Sequence, residues 1–411
     1  MSTNKTIWLI NFYASTLTTG IGGRCYYFAK SLAELGYDVY LFSASDHHLL
    51  IDKPNVSWLK GFACEKVDGF NYVWLKTPTY ANAHSKVRLL SEFYFSQKIK
   101  QLSKSDFSKP STIFYSSPAL IPSLGAQSLA KNLNAKLILD IRDLWPLTLI
   151  EMGGYSPKHP LVAYMQMIEN IAYKNADAIT SNWPYAINYM IEHNASPEKF
   201  SWIPNGFSID EFSNPEAIDS KTLARFPKEK FIIGYTGTLG KANALDALLD
   251  SAEILKSNKN IAFVIVGKGR ESNDLISQIK SRNLYNVHYV GSVPKRAIPN
   301  VLSLFDVCYV GFLDIPLYRF GSSLTKLPEY LASKKPIVYA SNSPFQPISN
   351  CKAGITVQAE NSKEIAEAIS QLYNMTSNER NHMGILGYKE AMNTYEYGSL
   401  SKKLARLLFD G

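Results

Sequence analysis

The chain has 411 residues, 46% of them hydrophobic and 19% charged, which excludes disordered, collagen-like and coiled-coil proteins and predicts two folded domains. Lys and Arg number 43 against 35 Asp and Glu, and the net charge of +8 favours anionic partners such as phosphates, nucleotides or a lipid surface. That charge is too dilute for a histone-like nucleic-acid binder. The cysteines lie far apart without C-x-x-C spacing, which predicts neither a disulfide framework nor a zinc site and fits a reducing cytosol.

The N-terminus predicts no signal peptide, because a basic region, a long apolar run and a cleavage site are missing from the opening residues. No window reaches 18 uninterrupted apolar residues, so no membrane-spanning helix is expected. Any membrane contact is therefore predicted to be peripheral.

Short β-rich runs alternate with amphipathic helices, and this pattern occurs twice along the chain. It predicts an α/β protein with two doubly wound, Rossmann-like domains, and a cleft where the carboxyl ends of their strands face each other. The break at Ile203-Pro204-Asn205-Gly206 gives domains at 1–204 and 205–395, with a helix at about 396–411 packing back on the first. The predicted strands cover residues 7–10, 39–42, 72–75, 112–115, 137–139, 178–180, 200–203, 231–235, 262–266, 287–290, 307–310 and 337–339.

A glycine-rich turn with Gly20, Gly22 and Gly23 separates the first strand from a helix that begins near Arg24. Glycines at such a turn let backbone N–H groups approach an anion at the helix N-terminus. A dinucleotide fingerprint would need a further glycine at Cys25 and an acidic residue after the second strand, and both are missing. A tight structural turn without a ligand is the alternative.

Three charged residues, Asp140, Arg142 and Asp143, come directly after a buried strand and just before Trp145 and Pro146. Charges at the carboxyl end of a strand favour a substrate pocket, and a structural salt bridge is the alternative. The chain has no Asp-x-Asp pair and no cluster of His and carboxylates with metal-ligand spacing. We therefore expect neither a metal nor another cofactor.

The second half of the chain has similar glycine turns, Gly237-Thr238-Leu239-Gly240-Lys241 and Gly267-Lys268-Gly269-Arg270, each after a predicted strand. Each turn taken alone is equally compatible with a bare loop.

A further segment, 319–333, predicts a helix that is capped by Ser322, Ser323 or Thr325 and starts shortly before Pro328. Lys326 then lies in the first turn, where the helix dipole is unfavourable for a cation unless an anion is bound. Glu329, one turn later, is placed to accept hydrogen bonds from a ribose diol. A solvated amphipathic helix is the alternative.

Together these segments resemble retaining glycosyltransferases of family four, which have the two-domain GT-B fold, over nearly the whole chain. The resemblance rests on the Gly22-Gly23-Arg24 turn, Ile203-Pro204-Asn205-Gly206 and the strand and loop at 286–292. Asp143-Leu144-Trp145-Pro146 and Lys326-Leu327-Pro328-Glu329-Tyr330 are similar to a narrower subgroup. That subgroup, which includes L-fucosamine transferases, builds O-antigen, capsule and related bacterial surface polysaccharides.

The resemblance implies a donor site in the second domain, with Glu329 on the ribose and Lys326 on the diphosphate. Gly321 stands where the family has the first Glu of a Glu-x7-Glu pair, and Thr238 and Asn243 replace a phosphate-binding Arg and Lys. The expected catalytic residues are Lys326, Arg24 and Asp143. The expected donor-binding residues are Gly22, Gly23, Gly237, Thr238, Lys241, Gly267, Ser292, Val293, Arg319, Ser323, Leu324, Thr325 and Glu329.

The expected activity is transfer of a hexosyl or N-acetylhexosaminyl group, with retention, from a nucleotide diphosphate sugar, in particular a UDP-sugar, to a lipid-linked glycan. The alternatives are a nucleotide-sugar epimerase of the same architecture and a nucleotide-sugar-binding module without catalysis. The expected location is the cytoplasm, at the inner face of the plasma membrane, and no nucleic-acid partner is expected.

Residues 76–104 predict a basic amphipathic helix that contacts an anionic membrane, and a helix packed on its own sheet would show the same pattern. Glu92 is the one acidic residue among six basic ones. The basic residues are Lys76, Lys86, Arg88, Lys98, Lys100 and Lys104, and the interleaved apolar ones are Tyr80, Val87, Leu90, Phe93, Tyr94 and Phe95.

Overall fold

The computed structural model describes residues 5–80, 82 and 85–409 and divides the chain into two compact units. Unit 1 comprises Met1–Asn205, Phe320–Ser323 and Tyr397–Gly411. Unit 2 comprises Gly206–Arg319 and Leu324–Glu396. The main division thus falls between Asn205 and Gly206, within the predicted Pro and Gly break.

Unit 1 is built on an eight-stranded sheet of order β3-β4-β2-β1-β5-β6-β7-β8. Every neighbouring pair is parallel except the β3–β4 hairpin. The central strands are apolar along their length because helices cover both faces, and residues 7–10 are completely buried. The strands are β1 (Thr6–Ile10), β2 (Asp38–Ala44), β3 (Phe62–Val67), β4 (Phe70–Leu75), β5 (Thr112–Ser116), β6 (Lys136–Ile141), β7 (Ala178–Ser181) and β8 (Phe200–Trp202).

Six helices precede the end of β8 among the described residues of unit 1. Two of them, α2 and α3, approach closely because Gly125 has no side chain: a Cβ there would lie 2.4 Å from the Ser96 carbonyl oxygen. The helices are α1 (Arg24–Glu34), α2 (Val87–Gln101), α3 (Ile121–Leu133), α4 (Leu147–Glu151), α5 (Pro160–Asn175) and α6 (Ile187–Met190).

Unit 2 is built on a six-stranded, fully parallel sheet of order β11-β10-β9-β12-β13-β14. Its core consists of apolar strand residues, among them Ile233, Phe263 and Val338, packed against Leu248 and Ile369 of the covering helices. The strands are β9 (Phe231–Thr236), β10 (Ile261–Val266), β11 (Val287–Gly291), β12 (Val307–Gly311), β13 (Ile337–Ala340) and β14 (Gly354–Val357).

The helices of unit 2 connect these strands and cover the sheet. Short 3-10 turns at Lys241–Asn243, Lys295–Ala297 and Pro316–Phe320 follow the strands that carry the predicted site. The helices are α7 (Ile209–Ser213), α8 (Ser220–Leu223), α9 (Leu245–Ile254), α10 (Ser272–Ser281), α11 (Ile298–Ser303), α12 (Lys326–Ala332), α13 (Pro347–Cys351), α14 (Ser362–Asn374) and α15 (Ser377–Glu390).

The last helix, α16 (Tyr397–Phe409), belongs to unit 1 and packs on α1. The rings of Tyr27 and Tyr397 stack with their centroids 4.7 Å apart, and Leu400 and Leu404 are buried in the same core. The helix is amphipathic, and its apolar face completes one side of unit 1.

The predicted α/β class with two Rossmann-like domains is confirmed, and every predicted strand is present. The sequence interpretation missed β3 and β14. Strand β3 lies exposed at the sheet edge and carries Cys64, Glu65 and Lys66, so it has no apolar run to reveal it. No helix in the described ranges is long and apolar enough to cross a membrane.

Candidate functional site

The loops that follow β9 and β10 pack backbone against backbone. Gly237 and Gly267 have φ angles of +141° and +148°, which favour glycine. Their N–H groups donate to the carbonyls of Val266 at 3.0 Å and Gly291 at 2.8 Å. A Cβ on Gly267 would lie only 1.8 Å from the Gly237 carbonyl oxygen. The loops therefore have a fixed shape at the carboxyl edge of the sheet, where α/β sheets bind ligands.

Lys326, the first residue of α12, places its ammonium group against these loops. Nζ donates to Tyr235 Oη at 2.8 Å and to Asn243 Oδ1 at 2.7 Å, and it lies 4.1 Å from the centroid of the Tyr235 ring. Among the described residues no carboxylate forms an ion pair with it, and burial lowers its pKa to about 7. A bound anion would thus be the first charged partner of this ammonium group and would favour its protonated form.

Tyr330 fixes the position of α12 relative to β9. Its hydroxyl group donates to the Thr236 carbonyl at 3.1 Å and accepts from the Thr236 N–H at 2.6 Å, and the whole residue is buried. Thr325 occupies the N-cap position, but its side chain makes no capping hydrogen bond, so the expected side-chain cap at this residue is wrong. Tyr330 connects the middle of the helix to β9.

Glu329 forms an ion pair with Lys295. Lys295 opens the 3-10 turn after β11, and burial lowers its pKa. The side chain of Glu329 is 12% exposed, and that of Lys295 is 31% exposed. Lys295 is not among the predicted site residues, although it lies only two residues beyond Val293, which is predicted to line the base.

The other predicted donor residues of unit 2 are distributed over several loops. The Thr238 carbonyl accepts from Tyr235 Oη at 2.7 Å and from Asn243 Nδ2 at 3.0 Å, which joins it to the Lys326 cluster. Lys241 is exposed in the next turn.

Arg319 lies apart from the Lys326 cluster. Its guanidinium donates to the Pro316 carbonyl, and it lines a cavity of about 440 Å³ with residues 342–344. Ser292 is exposed after β11, and Leu324 and Thr325 precede α12.

Arg24 is buried in unit 1, with 3% of its surface exposed. Its guanidinium donates to both carboxylate oxygens of Asp140, at 2.8 and 2.9 Å, and to the carbonyls of Ile203 and Pro204. Asp140 also accepts from Ser116 and Thr180. The expectation that Arg24 is a catalytic residue is therefore wrong, because a buried network occupies its donors. The salt-bridge alternative applies to Asp140.

Gly22 and Gly23 precede α1 with φ angles of +67° and +88°. Open space surrounds the Cβ position of Gly23, so its backbone conformation alone favours glycine there. Asp143 follows β6 and is half-buried. Burial raises its pKa above the usual value, although the neighbouring Arg142 offsets part of this rise. The fold thus places Asp143 at the carboxyl edge of the unit 1 sheet.

Helix α2 has an exposed apolar stripe that includes Val87, Leu90 and Phe93. It buries Phe95 and Ile99 in unit 1, whereas Leu90 and Phe93 are 58% and 52% exposed. Tyr80 and Phe95, two of the apolar residues interleaved with the basic ones, are buried.

The segment Ser57–Phe62 extends this exposed surface beside α2. Leu59 is fully exposed, and the rings of Trp58 and Tyr94 lie 5.9 Å apart. The ammonium groups of Lys76 and Lys98 lie over the rings of Trp58 and Tyr94, at 5.2 and 5.6 Å.

Two family models together match most of the chain. The model described as Glycosyltransferase Family 4 matches residues 18–211, and the model described as Glycosyl transferases group 1 matches residues 216–390.

Two curated proteins are similar in sequence. WcaI of Escherichia coli K12, a glycosyl transferase named for colanic acid biosynthesis, is 23% identical over 70% of this chain and 72% of its own length. The N,N'-diacetylbacillosaminyl-diphospho-undecaprenol alpha-1,3-N-acetylgalactosaminyltransferase of Campylobacter jejuni is 30% identical over 30% of each chain.

Solved structures match almost end to end. A sucrose-phosphate synthase from Thermosynechococcus elongatus superposes with a TM-score of 0.75 at 16% identity, covering 98% of both chains. HepE from Anabaena, solved with UDP and glucose, gives 0.64 at 12% identity and covers 98% of both chains. A structure from E. coli with bound UDP-2-fluoro glucose gives 0.69 at 11% identity, over 98% of this chain and 99% of the other. At these identities the structural likeness shows a shared fold.

Proposed function

The chain is a glycosyltransferase with the GT-B fold, and we propose that it transfers a sugar, with retention, from a UDP-sugar to a lipid-linked glycan in bacterial surface polysaccharide synthesis. The observation that carries the donor assignment is Lys326, an ammonium group held by neutral partners beside two tightly packed glycine loops. A diphosphate is the anion that suits this position, and Glu329 lies on the same helix for the ribose.

In this proposal each part of the unit 2 edge has one task. Lys326 binds the diphosphate together with the backbone of Ser323 to Thr325. Gly267 and the Ser292-Val293 turn line the base, and Glu329 accepts hydrogen bonds from the ribose hydroxyls. The further donor contacts in unit 2 come from Gly237, Thr238 and Lys241.

Transfer breaks the bond between the anomeric carbon and the diphosphate and forms a bond from that carbon to an acceptor oxygen. The acceptor hydroxyl passes its proton to the departing diphosphate oxygen, and UDP leaves with the electrons of the broken C–O bond. The protein stabilises the negative charge that develops on the leaving oxygen. In comparable oxyanion sites, removing one hydrogen-bond donor raises the activation free energy by about 2.7–4 kcal/mol. Lys326 supplies this stabilisation, and Asp143 serves the acceptor side.

The first Glu of the family's Glu-x7-Glu pair is replaced by Gly321, whose φ of +96° is unfavourable for an L side chain. Asn243 occupies approximately the position of the family's phosphate-binding Lys, and its side-chain oxygen accepts a hydrogen bond from Lys326. In this chain Lys326 therefore supplies the positive charge that the family places on the glycine loop.

The lipid-linked acceptor is inferred from the relatives. The C. jejuni protein is named for a diphospho-undecaprenol acceptor, and WcaI is named for colanic acid biosynthesis. The residues at 143–146 and 326–330 further suggest a subgroup similar to L-fucosamine transferases. A water-insoluble acceptor of this kind requires the enzyme to work at a lipid surface.

We place the membrane contact on the exposed stripe of α2 together with the segment Ser57–Phe62. Leu59, Leu90 and Phe93 are exposed there, and the neighbouring Lys76 and Lys98 can direct their charges to an anionic leaflet. Each basic residue near such a surface contributes about 1 kcal/mol. Unit 1 buries the opposite face of α2, which leaves the stripe available.

Co-sedimentation with vesicles tests this contact. Binding to phosphatidylglycerol vesicles should fall at high salt and in a triple variant with Lys60, Lys86 and Lys98 changed to Glu. A charge-matched control carries Lys228, Lys280 and Lys363 changed to Glu, all exposed in unit 2, and should bind like the wild type. Equal binding to phosphatidylcholine and phosphatidylglycerol vesicles, or none to either, would contradict the electrostatic contact.

The donor class is tested by thermal stabilisation with UDP-, GDP- and dTDP-sugars, because a ligand that binds the folded state raises the melting temperature. The proposal predicts stabilisation by UDP-sugars and by UDP itself. Stabilisation by GDP- or dTDP-sugars alone would change the donor assignment, and stabilisation by no nucleotide would contradict the proposed site.

A further inference from the structure

One lysine of unit 2 contacts the carboxylate that is proposed to bind the ribose. Lys295 Nζ donates a hydrogen bond to Glu329 Oε1. Among the described residues no donor reaches the second oxygen of this carboxylate, Oε2, and the side chain of Glu329 is 12% exposed. The ion pair therefore fixes one oxygen of Glu329 and leaves the other accessible to a ligand.

The turn that carries Lys295 is itself held in place. Pro294 precedes it with a φ of −56°, and the Ala297 N–H donates to the Pro294 carbonyl at 3.0 Å. The Glu216 N–H donates to the Arg296 carbonyl at 2.9 Å, and Ala297 is completely buried. The ammonium group of Lys295 thus extends from a fixed turn and can hold a neighbouring carboxylate in one orientation.

The charges around Lys295 favour its protonated form. Burial lowers the pKa of Lys295, whereas Glu211, a buried carboxylate of α7, acts in the opposite direction. Glu329 places a second carboxylate in direct contact with the ammonium group. Opposite charges at short range stabilise a cation, so Lys295 is suited to a lasting ion pair.

The ion pair changes how Glu329 can bind a ligand. A glutamate side chain without a partner has several rotatable bonds and samples many orientations in water. A ligand must then order the side chain when it binds, which weakens binding. A carboxylate in a fixed orientation also rejects a ligand that lacks the expected hydroxyl group, because the carboxylate oxygen stays without a donor once the ligand covers it.

We propose that Lys295 is a positioning residue that orients Glu329 toward the ribose diol of the donor and thereby makes the enzyme selective for ribonucleotides over deoxyribonucleotides. Oε2 accepts a hydrogen bond from one ribose hydroxyl. Oε1 has a further lone pair beside the bond from Lys295 and accepts from the other hydroxyl. This inference rests on the proposed function, because it takes Glu329 to bind the ribose. An ion pair that only braces the turn after β11 would affect stability and leave this selectivity unchanged.

Calorimetry with UDP, 2′-deoxy-UDP and 3′-deoxy-UDP tests the assignment without needing turnover. The wild type should bind UDP at least about tenfold more tightly than one of the deoxy analogues, because that analogue loses a hydrogen bond to a charged group. In Lys295→Met the same ratio should fall below about threefold, as in Glu329→Ala. A ratio of two affinities on one protein does not depend on the fraction of folded enzyme, so partial unfolding cannot imitate this loss.

Arg296→Met is the matched control, because Arg296 is the adjacent basic residue of the same turn and is exposed. It should keep the wild-type ratio. A wild-type ratio in Lys295→Met, together with a lost ratio in Glu329→Ala, would overturn the inference and leave the proposed function standing. If the wild type rejects neither deoxy analogue, or if Glu329→Ala keeps the wild-type ratio, the ribose assignment fails together with the inference. If UDP does not bind to the wild type at all, the proposed function itself fails.

Discussion

Glu329, which the sequence assigns to the donor ribose, forms an ion pair with Lys295, a residue that sequence analysis did not select. The pair lies between the start of α12 and the turn after β11, so the carboxylate is held at the loop edge without a ligand. A carboxylate with its orientation already fixed needs less ordering when a ribose binds.

Glu329→Ala should therefore weaken UDP binding at least tenfold, which corresponds to about 1.4 kcal/mol. Calorimetry with UDP measures this directly, and Glu367→Ala, an exposed position on α14, serves as the matched control. Lys295 loses its partner in this variant, but its side chain is 31% exposed and stays solvated, so the fold should survive. Wild-type UDP affinity in Glu329→Ala would contradict the ribose assignment.

Lys326 should take up a proton when UDP binds. Its pKa of about 7 in the folded protein lies below the usual value of about 10.4 for an unfolded lysine. Between these values the unfolded chain binds more protons, so the free energy of unfolding should rise with pH from about 7 to 10. A bound diphosphate raises the pKa of Lys326 again, because an opposite charge favours the protonated form.

Calorimetry of UDP binding at pH 8.5, in buffers with different ionisation enthalpies, measures that proton. We expect uptake of up to one proton by the wild type and almost none by Lys326→Met, together with lower turnover in the variant. Equal uptake in both proteins would show that another group titrates. Normal turnover in Lys326→Met would make Lys326 a structural residue.

Gly267→Ala should destabilise unit 2 by more than about 2 kcal/mol, because the new Cβ would lie 1.8 Å from the Gly237 carbonyl oxygen at a φ that L residues rarely adopt. Gly240→Ala in the neighbouring loop is the control, since its Cβ would meet only the Thr238 methyl group at 4.0 Å. Urea denaturation of both variants gives the difference. Equal stability of the two would contradict the described loop packing.

Arg24→Met should destabilise unit 1 by about 3–5 kcal/mol, because the Asp140 carboxylate would remain buried without its cation. Asp140→Asn in the same chain should restore part of the loss. Urea denaturation of the single and double variants measures both effects. A stable Arg24→Met protein with lost turnover would instead assign Arg24 to the chemistry.

Activity should survive EDTA. The chain has no Asp-x-Asp motif, and within the described residues no three His, Cys, Asp or Glu side chains form a cluster that could hold a metal. Lys326 supplies the positive charge that a divalent metal provides elsewhere. Complete loss of transfer in EDTA, restored by magnesium or manganese, would contradict this expectation.

The sequence predicts the fold well, because buried parallel strands such as residues 7–10 and 262–266 are short apolar runs between helices. It fails at Arg24 for a definite reason. A glycine turn followed by a basic residue indicates anion binding locally, but the partner that occupies this guanidinium, Asp140, is 116 residues away. Such long-range pairing leaves no local pattern.

The same limit explains the residues that sequence analysis missed. The Lys295–Glu329 pair spans 34 residues, and the Lys326–Tyr235 contact spans 91. The position of Lys326 in the first turn of α12 follows from Pro328 and was predicted. Its neutral partners depend on how α12 packs against β9, which Tyr330 determines.

The most direct measurement of the central claim is incubation of the enzyme with radiolabelled UDP-sugars and short-chain polyprenyl diphosphate-linked glycans. Chromatography then follows the label and the released UDP. We expect a glycan extended by one sugar with one UDP released for each transfer, and loss of this product in Lys326→Met and Glu329→Ala. Isomerised UDP-sugar without an extended glycan, or bound UDP-sugar that is never consumed, would contradict it.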